Sequence, residues 1–502
     1  MADKKTRYEY QYTNGRIRIL TNHYPITRDN ILTVVGEANA LFLTNLAEIE
    51  YLYNYYKGIQ PILAREKVYH QEINNKVVEN HAREIVAFKV GYLLWKPIEY
   101  VSRKAKSKSK AINILNDYLI IEDKVGQDEE IAKWQSICGL AYRLGVQNND
   151  FDLDPDNESP FKSYSVDPRN AFVVYSADFK KEPVLGVIVD YVFDVDGGLK
   201  LRFQAYTDDM FYEIIDGQIR KEEPHSWGEI PLVEYPLNNE RIGDFEQVIH
   251  LLDCINQVAS NRLDAVDEFV QALMVFENVD IKDEDVKKLK ELGAIKIKDA
   301  SKELKANVRY LTQELNQTQI QTLVNYMYSI VLKIVGMPSQ SDGNTNDSSN
   351  NGAVILKNGW QGADARASET EVMFKKSERK FLKNILNICK VMTKGKVDLK
   401  TTDIDIKFTR RNYENLWQKA QVLDLLLKND KVAPKLAFQV CGLFTDSEEA
   451  YQMSEAYYEK AKKEADELLK NAKQQGVNGG ADENEWYYVG NGKANLRNSQ
   501  QR

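Results

Sequence analysis

The strongest constraint on this chain is the order of segments between residues 243 and 412: long amphipathic helix, charged insert, second helix, polar loop, longer helix. Phe245, Val248, Leu252, Ile255, Ala259, Leu263, Val266 and Val270 recur at helical intervals and so fall on one face. A helix over 245–270 would be roughly 39 Å long at 1.5 Å rise per residue. Asp244 and Gln247 have the spacing of a capping box at its start. The second helix begins near Asn316 and carries the stripe Ile320, Leu323, Met327, Ile330, Val331 and Ile334, with Gly336 and Pro338 supplying stop chemistry. A lone helical hairpin cannot bury both stripes, so such a pair calls for further partners.

Residues 275–311 alternate in charge, and Ala294–Lys298 reads as a short strand. Residues 339–352, SQSDGNTNDSSNNG, hold two Asp and no Lys or Arg, a composition that reads as a flexible loop. Residues 353–393 are periodic again through Trp360, Val372, Phe381, Ile385, Ile388 and Met392, and Gly359 and Gly362 permit a kink. Asp403–Thr409 alternates as one strand. Three more helices follow: Leu416–Leu427, Pro434–Cys441 closed by Gly442, and one from a Thr445/Glu448 box to about Gln475.

Upstream, residues 1–30 read as an extended polar arm. Residues 31–59 read as a helix with the stripe Leu41, Leu43, Leu46, Ile49, Leu52 and Tyr53; residues 75–95 and 129–145 read as further helices. Between 161 and 236 the pattern turns to β-branched and aromatic runs with turns at Asp196-Gly197-Gly198 and Asp216-Gly217, an antiparallel meander of four to six strands. The run Ser102–Lys110 is the densest basic stretch, read as a solvated loop or as a phosphate contact.

Composition narrows function. The 502 residues carry a net charge of −8, which argues against tight non-specific DNA binding and is compatible with DNA that must slide past. The 28 tyrosines suit half-buried surfaces and subunit contacts as well as a core. Cys138, Cys254, Cys389 and Cys441 form no C-x-x-C pair, so buried thiols in a reducing compartment are expected. No apolar signal core or membrane-length apolar run is present, so no membrane partner is expected. Gly395-Lys396 and Gly492-Lys493 lack the Ser or Thr of a phosphate-cradling loop. His23, His70, His81, His225 and His250 show no metal-ligand spacing. Asp264 with Asp267 and Glu268, and Asp283-Glu284-Asp285, read as solvated acidic faces. No catalytic residue, cofactor or metal is expected.

Five local matches give the segment order a family. Gly91–Ile98 is similar to an apolar segment ending in Lys-Pro before a strand, and Asp167–Tyr175 to a P-x-x-x-x-V-x-Y strand. Ile230–Asn239 resembles I-P-[IL]-[IV]-x-[FY]-x-N-N, Asn351–Leu356 the opening S-G-x-A-[IL], and Ile404–Arg411 a returning I-x-F-T-R strand. Over about 30–470 the chain resembles the portal proteins of tailed phages, of the SPP1 (Siphovirus) type.

The resemblance implies an α+β, mostly helical fold. Its parts would be an arm (1–30), a wing (31–242), a first stem helix (243–270), a clip (271–311), a second stem helix (312–335) and a tunnel loop (336–352). The long helix and returning strand of the wing (353–412), a crown (413–475) and a disordered tail (476–502) would follow. The stem would pack through Val248, Leu252, Ile255, Leu263, Ile320, Leu323, Met327, Ile330 and Ile334. Ser339, Gln340, Ser341, Asp342, Asn344, Asn346, Asp347, Ser348, Asn350 and Asn351 would line the DNA channel. Lys282, Asp285, Lys288, Lys296 and Lys298 would serve docking at the clip.

It further implies a homo-oligomeric ring, usually twelve-fold, at one capsid vertex of the virion, assembled in the host cytoplasm. Double-stranded DNA would enter and leave through it. The partners would be the terminase, the major capsid and scaffolding proteins, and the head-tail connector. Three rival readings remain, a terminase ATPase, another head or connector protein and a cellular helical scaffold. A terminase ATPase needs a phosphate loop and acidic metal ligands, which are not visible. Another head or connector protein would seldom carry two stem-like helices around a charged insert.

Overall fold

The computed structural model describes residues 15–68, 71–103, 109–151, 158–193, 197–225, 227–270, 273–277, 307–311, 317–338, 360–409, 416–429, 431–444, 447–474, 488–489 and 493–494. It divides into two compact units, with residues up to 410 (except 347–353) in the first and the helices after 411 in the second.

The first unit opens with β1 (Ile19–Thr21), which pairs in parallel with β5 (Ala171–Ser176). Arg16 is buried just before it, its Nη2 2.5 Å from Glu246 Oε1 and its Nε 3.2 Å from Glu48 Oε2. The described part of the expected arm is therefore tied into the fold. α1 (Ile31–Tyr56) follows, and its first half lays Ile31, Val34, Val35, Ala38 and Phe42 on the sheet residues Phe172, Val174, Leu185, Val187, Ala205 and Ile214. The sequence-derived stripe is corrected here. Leu41 and Leu43 are exposed, and the buried row runs through Phe42, Asn45, Ile49, Leu52 and Tyr55.

α2 (His81–Leu93), β2 (Glu99–Ser102), α3 (Ser109–Ile121) and α4 (Lys124–Cys138) come next. The helix expected over 129–145 ends at Cys138. Gly139, with φ of +79°, adopts the left-handed conformation that closes a helix, and a side chain there would meet the Arg241 carbonyl at 2.2 Å. Leu140–Gln147 is instead β3, buried through its first six residues.

The meander expected over 161–236 splits between two sheets. β5, β6 (Pro183–Phe193), β7 (Leu199–Tyr206), β8 (Met210–Ile215) and β9 (Gln218–Pro224) form one six-stranded sheet in the order β1-β5-β6-β7-β8-β9. β4 (Phe161–Val166) and β10 (Leu232–Pro236) flank β3 in a second sheet, ordered β10-β3-β4. The larger core lies between this small sheet and the helices.

After β10, a short 3-10 turn (Glu246–Val248) leads into α5 (Ile249–Val270). The Asp244/Gln247 capping box does not form. Asp244 accepts from Ser136 Oγ at 2.7 Å, and Glu246 Oε2 accepts from the Gly243 amide at 2.8 Å. β11 (Leu273–Glu277) and β12 (Asn307–Leu311) pair antiparallel across the insert, and α6 (Gln317–Val335) returns. α7 (Trp360–Met392) buries Phe374, Phe381, Leu382, Ile385 and Ile388, with Gly362 in its first turn. β13 (Ile404–Lys407) then pairs antiparallel with β2, as the expected returning strand.

The second unit holds α8 (Leu416–Leu427), α9 (Pro434–Cys441) and α10 (Ser447–Gln474). Pro434 occupies the first turn of α9 and Gly442, with φ of +60°, closes it. Phe438 stacks on Phe444 at 5.4 Å, and Lys435 pairs with Glu448 at 2.9 Å. Thr445 of the expected box lies outside the described residues.

Candidate assembly interface

α5 and α6 run antiparallel. At their root Val248 of the preceding turn and Leu252 and Ile255 of α5 share the core with Val331, Leu332 and Val335 of α6. Farther out, Arg262 Nη1 donates to Gln321 Oε1 at 2.6 Å. α6 stops where Gly336 takes φ of +69° and the Met337 amide reaches back to the Leu332 carbonyl at 2.8 Å, a Schellman closure. A Cβ at Gly336 would press on the Arg366 side chain of α7 at 2.8 Å, so the end of α6 lies against the first turns of α7.

The nine expected stem residues are unequally covered. Val248, Leu252 and Ile255 are buried, and Ile320, Met327 and Ile330 are half-buried. Leu263, Leu323 and Ile334 are 43%, 48% and 38% exposed. Val266 at 45% and Tyr326 at 63% join them. One chain covers one face of the pair and leaves the other open: Ile334 is exposed beside buried Val335 at the root, and Ile320 is half-buried far from it. Leu332 and Val335, which seal α6, were absent from the expected set; they lie one residue beside the assumed stripe.

The other side of α5 is held by a polar ladder. The extended segment before α2 presents alternate backbone amides to side chains four residues apart on the helix. Glu79 N–H donates to Asn256 Oδ1 at 2.8 Å, Val77 N–H to Ser260 Oγ at 3.0 Å and Asn75 N–H to Asp264 Oδ1 at 2.7 Å. Asn256, Ser260 and Asp264 are all buried. Arg65 and Lys67 reach Asp264 Oδ2 at 2.9 and 3.3 Å. Burial favours the neutral acid, but the two hydrogen bonds from Asn75 and the Lys67 and Arg65 charges outweigh it and hold the Asp264 carboxyl below its usual range. The solvated reading of Asp264 is thus corrected: only an amide-satisfied, cation-paired carboxylate can be buried so fully. Nearby, the His81 ring lies between Glu79 and Glu84 at 3.1 and 2.8 Å, 4.4 Å from the Tyr328 ring. Tyr328 Oη donates to Glu84 at 2.7 Å and so ties α6 to α2.

A buried charge network fixes α7 to β2, β3, β10 and α4. Glu378 accepts from Tyr100 Oη at 2.7 Å, Tyr235 Oη at 2.8 Å and Arg143 Nη1 at 3.2 Å, and pairs with Lys124 at 3.2 Å. Asp128 accepts from Lys124 and from Arg143 Nη2. Two cations therefore meet two carboxylates. Burial alone would raise the Glu378 pKa; Lys124, Arg143 and the two tyrosine hydroxyls overcome it and leave the carboxyl below its ordinary value.

Every channel-lining residue expected between Ser339 and Asn351 lies outside the described residues. So do Lys282, Asp285, Lys288, Lys296 and Lys298, the expected strand Ala294–Lys298 and the acidic run Asp283–Asp285. Among the described residues no group of three His, Cys, Asp or Glu could hold a metal ion, and no helix is long and apolar enough to cross a membrane.

Three similarities accompany this geometry. The portal protein of Bacillus phage SPP1 is 23% identical over 226 residues, which cover 41% of this chain and 42% of that protein, so the chain spans less than half the length of this relative in the match. A solved chain described as the neck of an empty GTA particle computed with C6 symmetry aligns at a TM-score of 0.39 and 10% identity, over 72% of this chain and 90% of that one, a likeness too loose to argue from. The family described as "Phage portal protein, SPP1 Gp6-like" matches residues 40–475, and over that span the chain belongs to it.

Proposed function

We propose that the chain is the subunit of a portal ring at one capsid vertex, a channel through which double-stranded DNA enters and leaves. The observation that carries this reading is the α5–α6 pair, rooted in a buried core yet bearing exposed Leu263, Val266, Leu323, Tyr326 and Ile334. Apolar residues at i and i+3 on both helices form rows, and rows of this kind are found where another surface covers them. A head-to-tail ring gives each pair two neighbours and closes on itself. The wing, stem, clip, tunnel-loop and crown boundaries carry over from the sequence to this reading. Subunit number, expected to be twelve, and docking of terminase, scaffold, capsid and connector belong to it as well.

The end of α6 and the first turns of α7 are held together around Gly336 and Arg366. The neutral-to-acidic composition of residues 339–352 suits a constriction past which DNA slides, since each added cation paired with a phosphate increases drag. Lysine at Ser341 and Asn344 should slow packaging.

The test is negative-stain microscopy with mass measurement of the purified chain, with scaffold supplied. Closed rings with a central channel are expected. Leu263→Asp with Leu323→Asp should give subunits that keep their thermal midpoint but no longer close. A wild-type chain that stays monomeric, or rings indifferent to both substitutions, would overturn the reading.

A further inference from the structure

The charge of this chain is not evenly spread. Residues 375–400 hold nine basic side chains, Lys375, Lys376, Arg379, Lys380, Lys383, Lys390, Lys394, Lys396 and Lys400, against only Glu378 and Asp398. That is a surplus of seven in a chain whose total is −8. Glu378 faces inward and is consumed by the buried network, so it offsets nothing at the surface. The α7 positions open to solvent from 376 to 390 are Lys376, Arg379, Lys380, Lys383, Asn387 and Lys390. They follow 3- and 4-residue steps, so they form one stripe about 21 Å long at 1.5 Å per residue.

Four like-charge pairs at i,i+3 or i,i+4 lie within it: 376/379, 376/380, 379/383 and 380/383. Each destabilises the helix. Glu229 pairs with Lys383, and Asp398 with Lys390 at 3.3 Å. No such pair is described for Lys376, Arg379 or Lys380. The Lys380 ammonium is held below the usual lysine range, first by burial of its surroundings and then by Lys376 and Arg18, against the pull of Glu234 and Glu229.

We infer that this outward stripe of α7 binds the phosphate backbone of double-stranded DNA, a contact separate from the expected channel loop. The composition decides between two kinds of anionic partner. Protein interfaces are depleted in lysine and enriched in aromatic residues at their centres. This stripe is lysine-dominated and carries no aromatic side chain. Duplex DNA presents a charge about every 1.7 Å of axis and is held mainly by lysine and arginine without sequence reading. An acidic chain can repel DNA over most of its surface and still hold it on one stripe. The inference rests on the portal reading only for the source of the DNA.

The test is a titration of full-length protein with a random-sequence duplex of a few tens of base pairs over a range of salt concentrations. The variant is Lys376→Gln, Arg379→Gln, Lys380→Gln and Lys383→Gln combined; a companion replaces the three lysines by arginine and checks that the fold tolerates change there. Each phosphate contact contributes about 0.9 to the slope of log affinity on log salt, so the glutamine variant should lose roughly three to four from that slope, while the arginine variant keeps it. An unchanged slope overturns the inference. So does a glutamine variant that binds DNA normally but no longer forms rings, which would assign the stripe to an acidic face of a neighbouring copy. Absence of rings in the wild type bears instead on the proposed function, because DNA binding is readable on a monomer.

Discussion

Replacing Glu378 by alanine should be among the most damaging single changes available in the first unit. The carboxylate is fully buried and serves two tyrosine hydroxyls, an arginine and a lysine. Removing it leaves Lys124 and Arg143 facing Asp128 alone. Breaking a buried ion pair from one side costs about 3–5 kcal/mol, and each hydroxyl left without an acceptor adds to this by up to about 1–3 kcal/mol. Net folding stability is only about 5–15 kcal/mol, so Glu378→Ala should remove a third of it or more. Urea unfolding of the dissociated subunit measures this directly. Adding Arg143→Met should recover part of the loss, because it restores one cation to one carboxylate; the pair should be less destabilised than the sum of the two single changes.

The network also sets a pH dependence. The ordinary glutamate value is 4.5, and Glu378 lies below it when folded. A depressed carboxyl contributes stability above its unfolded value and loses it as pH falls through the folded value. Wild type should therefore lose this contribution only below about pH 4.5, and Glu378→Gln should flatten that part of the acid limb. A loss under about 1 kcal/mol for Glu378→Ala, the range of exposed pairs, or strict additivity with Arg143→Met, would refute the argument.

Two further outcomes are expected. The amides of Asn75, Val77 and Glu79 lie outside any helix or sheet, yet should exchange slowly with deuterium; Ser260→Ala should release the Val77 amide and cost about 1–3 kcal/mol, and rapid exchange in wild type would count against the ladder. Gly139→Ala should destabilise by at least about 1–3 kcal/mol, measured as a drop in thermal midpoint, because φ is +79° and the added carbon meets the Arg241 carbonyl at 2.2 Å.

The long elements were legible because their signals are local. Periodicity located α5, α6, α7 and β13, and the Pro434/Gly442 punctuation located α9. The helix–strand junction at Gly139 was missed because Leu140–Gln147 is buried on both faces and shows no alternation. The stripe of α1 was misplaced because leucines at 41 and 43 outweighed Phe42 and Asn45, whose burial depends on partners far along the chain: the sheet at Phe172 and the backbone of Ile17. Asp264 looked solvated because nothing near it in sequence announces Asn75 or Arg65. The α7 stripe was overshadowed by Ser102–Lys110, since charges spread at helical intervals look dilute in a linear reading.

The amide ladder on α5 works as a vernier. Four helical residues advance about 6.0 Å, whereas two extended residues advance about 6.6 Å. Each rung therefore slips by about 0.6 Å against the next, and two steps accumulate about 1.2 Å. Near coincidence lasts for three rungs, the number seen between Asn75 and Glu79. The segment is thus held in one phase only: a single residue added or removed between 75 and 79 would turn the alternate amides away from the helix. The tilt of α5 against residues 75–79 is consequently gauged by chain length in this segment, and a substitution that spares its backbone leaves that gauge intact.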